Sequence, residues 1–312
     1  MTLSKKITLV FSCCISLSFH AQLTNNSWQN DIFECDSKDN LSCLKFVNNQ
    51  TIVAQSWDEL AQPIFWKRIM LLSPDSCVIN IGSTRQIVQV FSVKDWEAKS
   101  DEQKTVYRDS VRQSKQLLED EHIYMTRGKN DFYRFDQVIP TISRGVEVFS
   151  EQGVDPWYAQ SILLIESPGA LAKSTVGAYG PFQLMKGVAI NMGLTVNGYT
   201  DDRKDFDKSA QAASRLINTI CIPEAKRILD QESISYNTTD LWFRLFVLHI
   251  YHAGAGNVQK VVKAIAPTQG GQDLITKMWQ TKAGGFGNAS QNYSQIALAS
   301  LIVLNETINS AN

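Results

Sequence analysis

The chain has almost no net charge and, beyond its N-terminus, no long apolar run. Its 312 residues carry 30 basic and 31 acidic side chains. Nucleic acids and anionic membrane surfaces are recognised by clustered lysine and arginine, so this balance argues against both as partners. No segment after the N-terminus is long and apolar enough to cross a membrane. Repeats and low-complexity tracts are absent too, and 44% hydrophobic residues suffice for a sizeable core.

The first residues have the layout of an export signal. Lys5 and Lys6 precede an apolar stretch over residues 7–19, followed by Ala21, and this stretch is too short to span a bilayer comfortably. We therefore predict a signal peptide over residues 1–21 and export to the periplasm or cell envelope. In a rival interpretation, residues 10–13 form a lipidation box that anchors the chain at Cys13.

Cysteine is scarce, and the sequence does not choose a disulfide pattern. Once Cys13 and Cys14 leave with the signal, four cysteines remain, at positions 35, 43, 77 and 221. An even number in an exported chain is compatible with two disulfides, and Cys35 with Cys43 is the local pair. Buried free thiols are the alternative.

The spacing of apolar residues predicts a mainly α protein. Residues 22–130 are expected to form an α-rich N-terminal extension of unassigned role, and residues 131–312 a compact helical domain. In the extension we predict a helix over 57–72, a short strand over 78–81 and a polar helix from a capping box at Ser100 to about Leu118. Helices of the domain are predicted at residues 139–149, 157–166, 181–192, 207–221, 241–251, 258–265 and 293–304.

One of these helices ends on a residue suited to acid catalysis. Glu166 follows Ile162, Leu163 and Ile165, which desolvate its carboxylate, and the negative end of the helix dipole opposes the same charge. Both effects raise the pKa, and a carboxyl group that keeps its proton near neutral pH can act as a general acid. The alternative is a surface carboxylate on an amphipathic helix. The glycine-rich loop that follows, with Gln183, can bring backbone and an amide against a ligand.

Several short motifs, taken in order, resemble a known family. They are ES at 166–167, SxxGAxG at 174–180, QLM at 183–185, YHAGAGNV at 251–258 and QNY at 291–293. Together, over roughly residues 135–305, they are similar to the motifs of lytic transglycosylases, the goose-lysozyme-like enzymes that cleave peptidoglycan. The resemblance implies a goose-type, lysozyme-like helical fold and glycan strands of peptidoglycan as the partner.

The resemblance also implies roles for individual residues. Glu166 matches the single catalytic acid of the family. Ser174 and Gln183 would line the glycan groove, and Tyr251 and Tyr293 would lie close to the acid. Neither a metal nor a cofactor is implied.

The sequence departs from the family pattern at three places near the expected groove. His252 stands where the family usually has asparagine, so that a histidine is expected near the substrate. Pro181 and Phe182 replace leucine and methionine, and the stretch between Glu166 and Ser174 is one residue shorter than usual. These departures concern the sugar subsites and the fate of the cleaved sugar.

A single acid suits the reaction that the resemblance implies. Glu166 would protonate the oxygen between N-acetylmuramic acid and N-acetylglucosamine, and then take the proton of the C6 hydroxyl as the ring closes to a 1,6-anhydro product. The nearest other carboxylates, at residues 201–207, precede a helix and are expected to cap it. Two alternatives are hydrolysis, as in a lysozyme, and a glycan-binding envelope protein without turnover.

Two other site types are disfavoured by the sequence. A Ser-His-Asp hydrolase would use Ser167, but no GxSxG motif is present and Pro168 follows directly. His249 and His252 have a spacing that metal ligands use, but no third ligand lies close in sequence. We therefore expect His252 to line the groove or to be hydrogen-bonded.

Overall fold

Helices dominate the protein. The computed structural model describes residues 27–36, 43–166, 174 and 176–309. The predicted signal peptide, the lipidation box with Cys13, and Ser167 lie outside these residues. The described helices are α1 Gln50–Ala54, α2 Ala61–Leu71, α3 Val93–Glu97, α4 Asp101–Ser114, α5 Phe135–Glu151, α6 Trp157–Glu166, α7 Lys186–Asn191, α8 Phe206–Leu216, α9 Ile222–Gln231, α10 Leu241–Ala253, α11 Ala255–Ile265, α12 Gln272–Gln280 and α13 Asn288–Asn309. The mainly α class is therefore confirmed.

The described residues of the predicted N-terminal extension form both helices and strands. The described strands all lie in it, and they are β1 Ile32–Asp36, β2 Cys43–Val47, β3 Ser76–Ile81, β4 Ile87–Ser92 and β5 Ile123–Arg127. β1 and β2 form an antiparallel hairpin, and the second sheet has the order β4-β3-β5 with antiparallel neighbours. Only β3 was predicted from the sequence. It is the buried central strand, whereas the others are short and depend on pairing partners that a local pattern does not contain.

The ends of several helices follow their local chemistry. Ser100 accepts a hydrogen bond from the Gln103 amide, and the Gln103 side chain accepts one from the Ser100 amide, which confirms the predicted capping box. At the start of α6, the Asp155 carboxylate accepts a hydrogen bond from the Trp157 amide at 3.0 Å. α8 continues through a π-helical turn, Ile217–Cys221, into α9.

The helix predicted over 181–192 begins later than expected. α7 starts at Lys186, because Gln183 has a left-handed backbone with φ of 44° and residues 179–184 form a tight turn. Phe182, which would have been in the first helical turn, is fully buried and stacks on Phe149 with ring centroids 5.8 Å apart. α9 and α12 were not predicted as separate helices.

The main hydrophobic core surrounds α10. Its residues from Leu241 to Ile250 are all buried, so this helix is enclosed on every side and forms the centre on which α13, α11 and α9 pack. Phe46 and Trp57 of the extension belong to the same core. Part of the extension therefore folds together with the helical region, while Cys77, Ile79 and Trp96 form a separate small core.

Two of the four remaining cysteines are buried thiols. Cys77 and Cys221 lie in different cores, which excludes a disulfide between them, and burial raises the pKa of both thiols. The expected pairing of Cys35 with Cys43 depends on the Cys43 side chain, which lies outside the described part of the structure. None of the described helices is both long and apolar enough to cross a membrane.

Candidate active site

Glu166 is the last residue of α6 and faces a pocket of about 210 Å³. The sequence motifs that follow it form the opposite walls, although they are up to 86 residues away along the chain. The described residues that line the pocket are Glu166, Ser174, Val176, Ala178, Gln183, Leu184, Met185, Val188, Leu216, Tyr251 and His252. Among them Glu166 is the one carboxylate, in a wall that is otherwise apolar or uncharged.

Burial controls the protonation of Glu166. The residues of α6 from Trp157 to Leu164 are buried, so the helix delivers the carboxyl group to the edge of the core. This burial raises the pKa of Glu166 to about 7, and the hydroxyl of Tyr293 lowers it by a smaller amount. The group is therefore about half protonated at pH 7 and largely protonated below it, in agreement with the raised pKa that the sequence predicts.

Three tyrosines surround the acid. For Tyr133, Tyr251 and Tyr293, burial raises the pKa of the hydroxyl and the nearby charge of Glu166 raises it further. Tyr293 is buried beside Glu166, and its hydroxyl makes no hydrogen bond of ordinary geometry to a described residue. Tyr133 was missed by the sequence analysis. The one indication of Tyr133 in the sequence is the group of aromatic residues that it forms with Phe132 and Phe135 at the start of α5.

Tyr251 anchors the glycine-rich loop. Its hydroxyl donates a hydrogen bond to the Phe182 carbonyl at 2.6 Å, and Phe182 itself is fully buried. Phe182, one of the residues that depart from the motif pattern noted in the sequence, therefore ties the loop to the core.

Ser174 and Gln183 shape the same loop. The Ser174 hydroxyl accepts a hydrogen bond from the Ala178 amide at 2.9 Å and closes the first turn. Gln183 donates a hydrogen bond from its side-chain amide to the Gly180 carbonyl at 3.0 Å. Both side chains thus stabilise the loop in addition to lining the pocket.

Arg203 holds the loop from behind. This buried side chain donates hydrogen bonds to the carbonyls of Gly177 and Leu184, each at 3.0 Å. It also forms a two-point pair with the carboxylate of Asp201, at 2.8 and 2.7 Å. The sequence predicts only caps in the 201–207 segment, because nothing in the local pattern indicates that an arginine there is buried.

The other carboxylates of that segment are engaged elsewhere. Asp205 accepts a hydrogen bond from the Lys208 amide and caps α8. Asp207 pairs with Arg144 at 2.7 Å, and Asp202 pairs with Lys208 at 2.7 Å. A second carboxylate close to Glu166 is therefore not provided by this segment.

We expect Arg203→Met to loosen the loop and to destabilise the fold. The variant removes hydrogen bonds to the buried Leu184 carbonyl and the half-buried Gly177 carbonyl and leaves Asp201 without its ion-pair partner, so the free energy of unfolding should fall by about 3 kcal/mol. Denaturant unfolding at pH 7 measures this loss. Arg227→Met is the matched control, since Arg227 also pairs with a carboxylate through two nitrogens but on the surface of α9. An equal effect of both variants would contradict the assigned role of Arg203.

The two histidines of α10 have different environments. His249 is fully buried and its Nε2 lies 2.8 Å from the Ser294 hydroxyl, and burial lowers its pKa to about 3. His252 lies at the pocket and stacks on Tyr293, with ring centroids 4.4 Å apart and planes at 19°. The packing around its ring lowers the pKa of His252, so both rings are neutral at pH 7. The described residues contain no group of three or more side chains arranged to hold a metal ion.

The structure thus brings together most of the residues singled out in the sequence. Glu166, Ser174, Gln183, Tyr251 and His252 line one pocket, and Tyr293 lies buried next to the acid. A scan against models of protein families gives no match, and a search against curated proteins finds no significant relative.

Proposed function

We propose that this chain is a peptidoglycan lytic transglycosylase with a goose-type, lysozyme-like catalytic domain. The observation that carries the proposal is Glu166, a carboxyl group protonated near neutral pH that is the one carboxylate among the described lining residues of its pocket. Glycosidases that use two carboxylates need both of them beside the glycosidic bond that is cleaved. A single acid fits a reaction in which the substrate supplies the second group.

In the proposed reaction, Glu166 donates its proton to the oxygen between N-acetylmuramic acid and N-acetylglucosamine. The bond from that oxygen to C1 breaks, and the acetamido group of the muramic acid stabilises the positive charge that develops at C1. Glu166, now a carboxylate, takes the proton of the C6 hydroxyl while the C6 oxygen bonds to C1. The product is a 1,6-anhydro sugar, no water is consumed, and Glu166 is protonated again.

The surrounding residues suit this cycle. Burial favours the neutral acid before the reaction, whereas the Tyr293 hydroxyl favours the carboxylate that forms during it. The buried Tyr293 hydroxyl interacts with Glu166 and makes no hydrogen bond of ordinary geometry to another described residue, so it is available to the reacting oxygens. Ser174, Gln183 and His252 would contact the glycan along the pocket, and the neutral His252 ring offers both a donor and an acceptor.

The pH dependence of cleavage should report on Glu166. Its folded pKa is raised, so the reactive protonated form is lost as the pH rises through about 7. We expect kcat/KM to fall roughly tenfold per pH unit above that value. Removing the hydroxyl in Tyr293→Phe should move the fall to higher pH, because this hydroxyl lowers the pKa of Glu166. A flat profile between pH 5 and 9, or a shift in the opposite direction, would contradict the assignment.

The proposal also places the protein outside the cytoplasm, since its substrate lies in the cell envelope and the N-terminus resembles an export signal. The test is the clearing of a suspension of purified peptidoglycan by the chain without its first 21 residues. Clearing without added metal or cofactor supports the proposal. Intact peptidoglycan after prolonged incubation with the folded protein would overturn it in favour of glycan binding without turnover.

A further inference from the structure

A second cleft, of about 780 Å³, lies between the extension and the start of α13. Its walls come from the turn between β3 and β4, the segment between α4 and β5, and the segment that joins α12 to α13. None of its described lining residues is shared with the pocket of Glu166. The cleft is mostly polar and carries charges of both signs.

Arg85 is the central cation of this cleft. It occupies the β3–β4 turn with a left-handed backbone, φ of 61°, a strained conformation for a residue other than glycine. Its Nη2 donates hydrogen bonds to the side-chain oxygens of Asn288 at 3.2 Å and Asn292 at 3.1 Å. Its guanidinium also lies 5.4 Å from the ring centre of Phe65. These contacts orient the guanidinium group without neutralising its charge.

No carboxylate of the described chain pairs with Arg85. The side chain is half-buried, and burial lowers its pKa. A cation that is held in place, partly desolvated and left without an ion-pair partner is suited to binding an anionic group of a ligand. Lys282, on the α12–α13 segment, adds a second positive charge to the same cleft.

The segment between α4 and β5 contributes negative charge. Glu121 accepts hydrogen bonds from the amide and hydroxyl of Ser83, at 3.0 and 2.7 Å, and so fixes the turn that carries Arg85. Asp120 is exposed in the cleft and has no ion-pair partner in the described part of the chain. The cleft therefore offers a cation and an anion on different walls, which matches a ligand with a separate carboxylate and ammonium group.

We propose that this cleft binds a short zwitterionic peptide, with Arg85 holding a carboxylate and Asp120 an ammonium group. Naming this peptide as the stem of peptidoglycan rests on the proposed function, because muramic acid carries short peptides with free carboxylates and a diamino acid. Asn292, which orients Arg85, is adjacent on α13 to Tyr293, which faces Glu166. Successive helical residues point about 100° apart, so one helix separates the two sites.

The test is calorimetric titration of the chain without its first 21 residues with the peptide N-acetyl-L-Ala-γ-D-Glu-meso-diaminopimelyl-D-Ala, whose one ammonium group is the side-chain amine of diaminopimelate. We expect binding that weakens with salt and that becomes about tenfold weaker or more in Arg85→Gln. Arg68→Gln is the matched control, since Arg68 is exposed on α2 and lies outside the cleft. No binding by the wild type, or equal binding by wild type and Arg85→Gln, would overturn the proposal.

The second wall has its own test. Asp120→Asn should weaken binding of this peptide severalfold and leave unchanged the binding of its form that is also acetylated at the diaminopimelate amine. Equal losses for both peptides would contradict the role of Asp120.

Peptide binding and glycan cleavage fail independently. The titration needs no turnover, and peptide binding should be retained in Glu166→Gln. Arg85-dependent binding by a chain that does not clear peptidoglycan would overturn the transglycosylase proposal alone, whereas clearing without peptide binding would overturn the cleft alone.

Discussion

Glu166→Gln is expected to reduce peptidoglycan cleavage by about 10³-fold or more. One side chain acts in both proton transfers of the proposed reaction, so its loss removes the acid and the base together. Glutamine has nearly the same shape and keeps a hydrogen-bonding amide, so binding to insoluble peptidoglycan should persist. The measurement is a clearing assay combined with co-sedimentation. Unchanged clearing would remove Glu166 from the mechanism.

The same variant should be more stable than the wild type at alkaline pH. Between about 4.5 and 7 the folded chain holds the Glu166 proton more tightly than the unfolded chain, so wild-type stability falls as the pH rises through this window. The full free-energy cost of the buried charge is present above pH 7 and corresponds to about 3 kcal/mol. Glutamine carries no charge and avoids this cost.

Thermal unfolding at pH 5 and pH 8.5 measures the difference. The melting temperature of Glu166→Gln should exceed that of the wild type at pH 8.5 and approach it at pH 5. Glu119→Gln, at an exposed position between α4 and β5, should differ from the wild type at neither pH. A Glu166→Gln protein that is less stable at pH 8.5 would contradict the burial argument, whatever its activity.

Gly180→Ala is expected to disrupt the pocket from the loop side. A Cβ atom at Gly180 would lie 1.8 Å from the Arg203 carbonyl oxygen, and the backbone has φ of 83°. Neither the carbonyl nor the backbone angle can adjust without moving Arg203, whose guanidinium holds Gly177 and Leu184. We expect a loss of about 3 kcal/mol in the free energy of unfolding. A displaced loop should also lower kcat/KM by about a hundredfold.

Gly177→Ala separates the clash from the backbone strain. Gly177 lies in the same loop with φ of 90°, but a Cβ atom there meets nothing within 4 Å. This variant should lower the free energy of unfolding by about 1 kcal/mol and leave the rate of cleavage within a few-fold of the wild type. If the two alanine variants are equally impaired, the contact between Gly180 and Arg203 does not control the loop.

The helical part of the fold was largely predictable from the sequence because its helices are long and strongly patterned. α5, α6, α10 and the polar helix α4 have periodic apolar positions or explicit caps, and both features are local. The strands of the extension were not predictable in this way. β5 pairs with β3 across more than 40 residues, and a five-residue strand has little pattern of its own.

The candidate site was predictable where a motif carries its chemistry. Glu166 was found from its place at the end of an apolar helix, and the loop from its glycines and Gln183. Tyr133 and Arg203 were missed for a physical reason: each acts through tertiary contact, with Glu166 and with two loop carbonyls respectively. A buried arginine and an exposed one look alike in a single sequence.

The most direct test of the proposed function is mass spectrometry of the muropeptides that the chain releases from purified peptidoglycan. Lytic transglycosylase activity predicts products that end in 1,6-anhydro-muramic acid, one water lighter than hydrolysis products. Products with reducing ends would contradict it and would mean that water attacks in the pocket beside Glu166 and His252.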